Sequence, residues 1–277
     1  MADSDPPETL RTGVPNVIVP RREPWKAVTA FGGLALWLLL FTRLHAATAR
    51  DAAAATANAR TLQSVERALH LDVERPVNQW LAGHPALIQP AVYNYRLYYA
   101  VVLGVLVWVY VRHADAFVRV RRALVAMTVL VLPVYWAVPM SPPRFALPGA
   151  VDIVAEHDLF GHRAATDIGD GRTSFTAMPS MHVAWSAWCA YAVWSVLRAT
   201  HPRLALLAWV FPLVMTADVF ATGNHYVLDV AGSAVLVGAA IATAALWGRI
   251  RYRWSDRRRR DNRSPQPLRP DRIDWRE

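Results

Sequence analysis

Long apolar runs separated by short polar stretches dominate the chain. Hydropathy predicts six segments of membrane-spanning length, at 26–44, 86–111, 122–140, 181–197, 204–221 and 226–247. Between the first two, residues 48–81 mix Ala, Arg and Glu at helical spacing. There Leu62, Val65, Leu69 and Leu71 form an apolar stripe that predicts an amphipathic helix lying on the membrane surface. No internal repeat or low-complexity array is present. The expected fold is an all-α, polytopic membrane helical bundle with six transmembrane helices. Its expected parts are an N-terminal tail at 1–25, a six-span catalytic membrane domain at 26–248, and an Arg-rich tail at 249–277 without fixed structure.

Composition agrees with this pattern, since 54% of the 277 residues are hydrophobic. The net charge of +9 is almost all arginine, Lys26 being the only lysine. The arginines cluster in the connection at 112–121 and in the block Arg257, Arg258, Arg259, Arg260, a distribution that fits the positive-inside rule better than nucleic-acid binding. It assigns both termini, the 112–121 loop and the 198–203 turn to the cytoplasmic side of the cell membrane. The two long loops, 45–85 and 141–180, then lie outside. Ala47, Thr48 and Ala49 resemble a signal-peptidase site, but a polar leader of more than twenty residues favours a retained first span. With Cys189 alone, no intrachain disulfide can form.

The candidate chemistry lies in two histidine motifs, PSMH at 179–182 and TGNHYVLD at 222–229. Each stands at the mouth of an apolar segment, and one further crossing lies between them, so both histidines return to one face. His225 and Asp229 are four residues apart, stacked on one helical face. A carboxylate there can accept from one ring N–H and leave the other nitrogen's lone pair free, as a nucleophilic or basic histidine requires. Taken alone, this spacing also describes a structural pair at a span end. His182 supplies the second imidazole, with Ser180 as N-cap and Pro179 at the segment start, a setting whose amides favour an anion.

Other polar residues complete the candidate site. Arg144, in a proline cluster that ends the third segment, offers a planar fork of donors for phosphate oxygens. Arg172, in GDGRTSF, is a second candidate donor. Asp218 is an acid in an apolar segment and a candidate contact for an acceptor hydroxyl or a histidine. Glu156, His157 and His162 lack ligand-like spacing to a second cluster, so no metal site is expected.

PSMH followed by HYVLD resembles the second and third signature motifs of the type 2 phosphatidic acid phosphatase superfamily, and PPR resembles the end of its first. The similarity covers residues 131–237 and is greatest to the inositol phosphorylceramide synthase-like branch. It implies that His225 is a nucleophile forming a phosphohistidine and that Asp229 orients it. It further implies that His182 protonates the leaving alkoxide, that Arg144 binds phosphate, and that no metal or other cofactor is required. The phosphatase branch usually carries a lysine before the arginine of the first motif and an arginine six residues before the nucleophile. Here no lysine lies in that region and position 219 is Val219, a loss shared with the phosphotransferase branch.

The resulting expectation is an outer-face enzyme acting on a lipid phosphate. It acts as a phosphatase using water, or as a phosphotransferase using a lipid or polyol acceptor. A non-catalytic membrane carrier that keeps the motif shape is the alternative. Substrate headgroup, acceptor and oligomeric state are not encoded in any motif.

Overall fold

A computed structural model describes residues 24–157 and 175–261, and the statements below concern those residues. They form helices α1 Pro24–Ala47, α2 Ala52–Ala68, α3 Glu74–Ala82, α4 Pro85–Arg112, α5 Ala114–Ala137, α6 Pro143–Ala146, α7 Ile153–Glu156, α8 Met181–Leu197, α9 Pro202–Leu207, α10 Val210–Ala221 and α11 Val227–Asp261. The structure is all-helical, with one isolated parallel bridge between Met140 and Thr176. Local chemistry sets the starts. Asp51 caps α2 by accepting from the Ala54 amide, Pro85 and Pro202 open α4 and α9, and Ser180 caps α8.

Four stretches are long and apolar enough to cross a membrane: Ala27–Ala47, Pro85–Arg112, Pro202–Ala221 and Val227–Arg258. They correspond to the first, second, fifth and sixth expected segments. Where the third and fourth are expected lie α5 and α8. The first of these begins at Ala114, so Arg119, Arg121 and Arg122, expected at a loop boundary, are within a helix. The second has 17 residues and is wrapped by protein, with Ala184, Trp185, Ser186, Trp188, Cys189 and Ala192 all buried. Such a helix has no need of a polar face.

The chain divides into two units, Met1–Leu40 and Phe41–Glu277. Within the described residues the first is the apolar beginning of α1. The second holds the bundle, in which α11 packs along α5 and α8, and α8 also packs on α4 and α10. The buried indole of Trp188 donates to the Val120 carbonyl at 3.1 Å, pinning α8 to α5.

Two expectations change. The 48–81 segment is two helices, and the buried face of α2 consists of Ala55, Ala59, Gln63 and Glu66, while Val65 and Leu69 are exposed. Its polar groups serve backbone groups elsewhere: Asn58 donates to the Pro139 carbonyl at 2.8 Å, and Glu66 accepts from the Leu228 amide. Orphan backbone groups at helix ends need such partners, and Leu62 of the expected apolar stripe packs on the same side, against the cluster of Ala59, Met140, Ala177 and Tyr226. At the other end, α11 continues past Trp247 to Asp261, its arginines being good helix formers with no proline or glycine among residues 249–261.

Candidate active site

The first histidine is held by a segment that is itself tied down. Phe175 N donates to the Ala49 carbonyl at 2.8 Å, Met140 N to the Phe175 carbonyl at 2.7 Å, and Ala177 N to the Met140 carbonyl at 3.2 Å. Past this clamp, the buried Tyr135 hydroxyl donates to the Pro179 carbonyl at 3.0 Å, and Ser233 of α11 donates to the Ser180 carbonyl at 2.8 Å. Gly232 packs against this turn, where a Cβ would just contact Pro179 Cβ at 3.4 Å. Ser180 caps α8 as expected, its Oγ accepting from Val183 N at 3.4 Å. His182, in the first turn of α8, stacks on Tyr95 with ring centroids 4.0 Å apart and meets Tyr98 at 4.5 Å.

The second histidine follows the tight exit of α10. Gly223 adopts φ +71°, the left-handed region that glycine enters without strain. The amides of Asn224 and His225 then both point to the Val219 carbonyl, at 3.0 and 3.3 Å. His225 is 6% exposed. Its Nδ1 lies 2.8 Å from the Ala177 carbonyl oxygen and 3.3 Å from Asp229 Oδ2. Both neighbours accept, so the neutral ring carries its proton on Nδ1 and keeps a lone pair on Nε2. Asp229, fully buried, also accepts from the Tyr226 amide at 2.9 Å. The ring centroids of His182 and His225 are 6.1 Å apart.

Arg144 stands beside this pair. Its amide donates to the Gly223 carbonyl at 2.9 Å, its guanidinium to the Asn224 side chain, and its Nε lies 3.1 Å from Asp152 Oδ2. Asp218 Oδ2 accepts from Asn94 of α4 at 2.7 Å, and its Oδ1 is buried without a hydrogen-bond partner. Arg172 and His162 lie outside the described residues. Among those described, no cluster of three His, Cys, Asp or Glu residues has metal-binding geometry.

Sequence reasoning missed the acids that hold α11. Glu74 accepts from the Val227 amide at 3.0 Å and Glu66 from the Leu228 amide at 2.7 Å, next to the Tyr226 amide held by Asp229. Three consecutive amides thus donate to three buried carboxyl groups, at the helix end where negative charge is favoured. Burial raises the Glu66 carboxyl to about 8, the Leu228 amide opposes that rise, and nearby Glu74 and Asp229 add to it. Tyr95, Tyr98 and Asn78 were missed as well. Asn78 bridges the Val151 and Ala221 carbonyls at 3.0 and 2.9 Å, holding α3 against the loops. The only advance signal for these residues is polarity within otherwise apolar or helical stretches.

The family model described as the PAP2 superfamily matches residues 60–243, from α2 into α11, and takes in Arg144, His182, His225 and Asp229. No curated protein and no solved structure matched the chain.

Proposed function

The chain belongs to the PAP2 superfamily, and on that premise we propose that it is a membrane-embedded enzyme transferring phosphoryl groups from a lipid-linked phosphate ester by way of a phosphohistidine on His225. Superfamily membership supports phosphatase-type chemistry on a lipid-like substrate. The observation that carries the finer reading is the pairing of His182 with a His225 whose Nδ1 is occupied by an acceptor.

In this mechanism His225 Nε2 forms a bond to phosphorus while the bond from phosphorus to the leaving oxygen breaks. His182 gives its proton to that oxygen. Water, or the hydroxyl of a lipid or polyol, then attacks the phosphohistidine, returns a proton to His182 and frees His225. Arg144 and Arg172 bind the equatorial phosphate oxygens, and Asn224 and Asp152 hold the Arg144 fork in place. Asp229 stabilises the positive ring that develops as His225 attacks. The reaction is metal-independent in this scheme, and the lost lysine and the valine at 219 favour the inositol phosphorylceramide synthase-like branch.

The same reading keeps six spans, with α5 and α8 completing the bundle, both termini cytoplasmic and the histidines on the outer face of the cell membrane. Phosphatidic acid carrying labelled phosphate, presented in vesicles, tests it. An acid-labile, base-stable labelled protein is expected from the wild type and none from His225→Ala. Chelators should leave labelling unchanged. Absence of any trapped phosphate with phosphate release intact would overturn the covalent step. Appearance of label in an added alcohol, rather than as inorganic phosphate, distinguishes transferase from phosphatase. A cysteine placed at His70 should react with an impermeant reagent from outside intact cells, and one at Ser255 should not.

A further inference from the structure

At the far end of α11 from His225, α5 and α11 line an open cavity of about 400 Å³. Arg119 and Arg122, one turn apart on α5, line it together with Arg249 and Arg253, one turn apart on α11, and with Tyr252 and Gly248. Gly248 packs on Arg122, where a Cβ would be in ordinary contact at 3.6 Å from Nη1. No carboxylate lines the cavity. Four guanidinium groups around one concavity repel one another and focus a positive field into it, and their planar forks match phosphate oxygens. The volume falls in the range of small-ligand sites.

Position and surroundings indicate which phosphate. Arg249 lies 22 residues beyond Val227, the first residue of α11, or about 33 Å along a helix rising about 1.5 Å per residue. That is close to the thickness of a hydrocarbon core, about 30 Å. If α11 crosses the membrane, the cavity therefore opens at the interface opposite the histidines. Ala244 and Ala245 give the cavity an apolar wall on the side toward His225, from which an acyl chain can approach. We propose that this cavity seats the phosphate of an anionic phospholipid in the leaflet opposite His225. This inference needs the membrane-crossing helix but not the catalytic reading.

The test is native mass spectrometry of the full chain in detergent, titrated with phosphatidylglycerol and, separately, phosphatidylcholine. The wild type is expected to bind phosphatidylglycerol at least tenfold more tightly than phosphatidylcholine. The double variant Arg122→Gln and Arg249→Gln should lose that preference, whereas Arg257→Gln with Arg258→Gln should keep it. Ala245→Trp fills the cavity while leaving all four arginines, should also lose the preference, and carries the test if the double variant does not fold. Retained preference in Ala245→Trp, or equal loss in the Arg257 and Arg258 variant, would mean diffuse surface charge and overturn the site. Displacement of phosphatidylglycerol by millimolar inorganic phosphate would overturn the lipid assignment in favour of a soluble anion.

Discussion

His225 Nδ1 lies nearer the Ala177 carbonyl oxygen, at 2.8 Å, than Asp229 Oδ2, at 3.3 Å. A carbonyl oxygen cannot donate, so Ala177 keeps the proton on Nδ1 whatever replaces Asp229. Where an aspartate orients the ring of a catalytic triad, its change to asparagine costs about 10⁴-fold in kcat. Here Asp229→Asn should cost less, about 10²-fold, because the tautomer survives and only charge stabilisation is lost. Phosphate release from vesicle-borne phosphatidic acid measures the effect. A loss near 10⁴-fold would mean that Asp229 alone orients the ring.

His182→Ala should distinguish poor leaving groups from good ones. An alkoxide needs the His182 proton, whereas p-nitrophenolate departs with little help. The variant is expected to lose about 10²-fold or more on a lipid phosphate and under tenfold on p-nitrophenyl phosphate. Equal losses on both substrates would remove His182 from the acid role.

Gly223→Ala tests the turn that delivers His225. Its φ of +71° strains any other residue, and the new Cβ would lie 3.1 Å from Asn78 Nδ2. The cost should be about 1–3 kcal/mol, a fall of several degrees in melting temperature measured in detergent. Gly238→Ala, whose Cβ meets nothing within 4 Å, is the control and should be neutral or stabilising.

Glu66 gives stability a pH dependence. Its ordinary value of 4.5 rises to about 8 in the fold. Between those values the folded chain holds a proton that the unfolded chain releases. The stabilisation is therefore complete below pH 4.5 and is lost as pH rises through 8, at up to about 1.4 kcal/mol per unit. Glu66→Gln keeps an acceptor for the Leu228 amide and removes the titration. Melting curves from pH 6 to 9 should fall less steeply for the variant than for the wild type, and parallel curves would exclude Glu66 as the titrating group.

What the sequence made legible were features written locally. The start of α8 follows from Pro179 and Ser180, and the two histidine motifs singled out together do meet, with the His182 and His225 ring centroids 6.1 Å apart. Arg144 likewise lies beside Asn224, next to the predicted nucleophile. Partners distant in sequence were not legible. Ala177 acts through a carbonyl, which every residue carries, so no residue type marks it. Asp218 finds Asn94 across 124 positions, and Glu66 finds the Leu228 amide across 162. The leucine stripe of α2 marked which positions are apolar, of which Leu62 packs on the cluster of Ala59, Met140, Ala177 and Tyr226, but not that Gln63 and Glu66 are buried beside it.

One rod joins the histidine site to the arginine cavity: α11 runs without a break from Val227, beside the histidine, to Asp261, beyond that cavity. A straight helix transmits rotational phase as well as length. One residue inserted near Gly238 would turn everything beyond it by about 100° and advance it by about 1.5 Å. His225 would keep its setting while Arg249 and Arg253 swung away from Arg119 and Arg122. Four inserted residues would restore the phase to within about 40°, so the tolerated insertions should recur with the period of the helix rather than decline steadily with length.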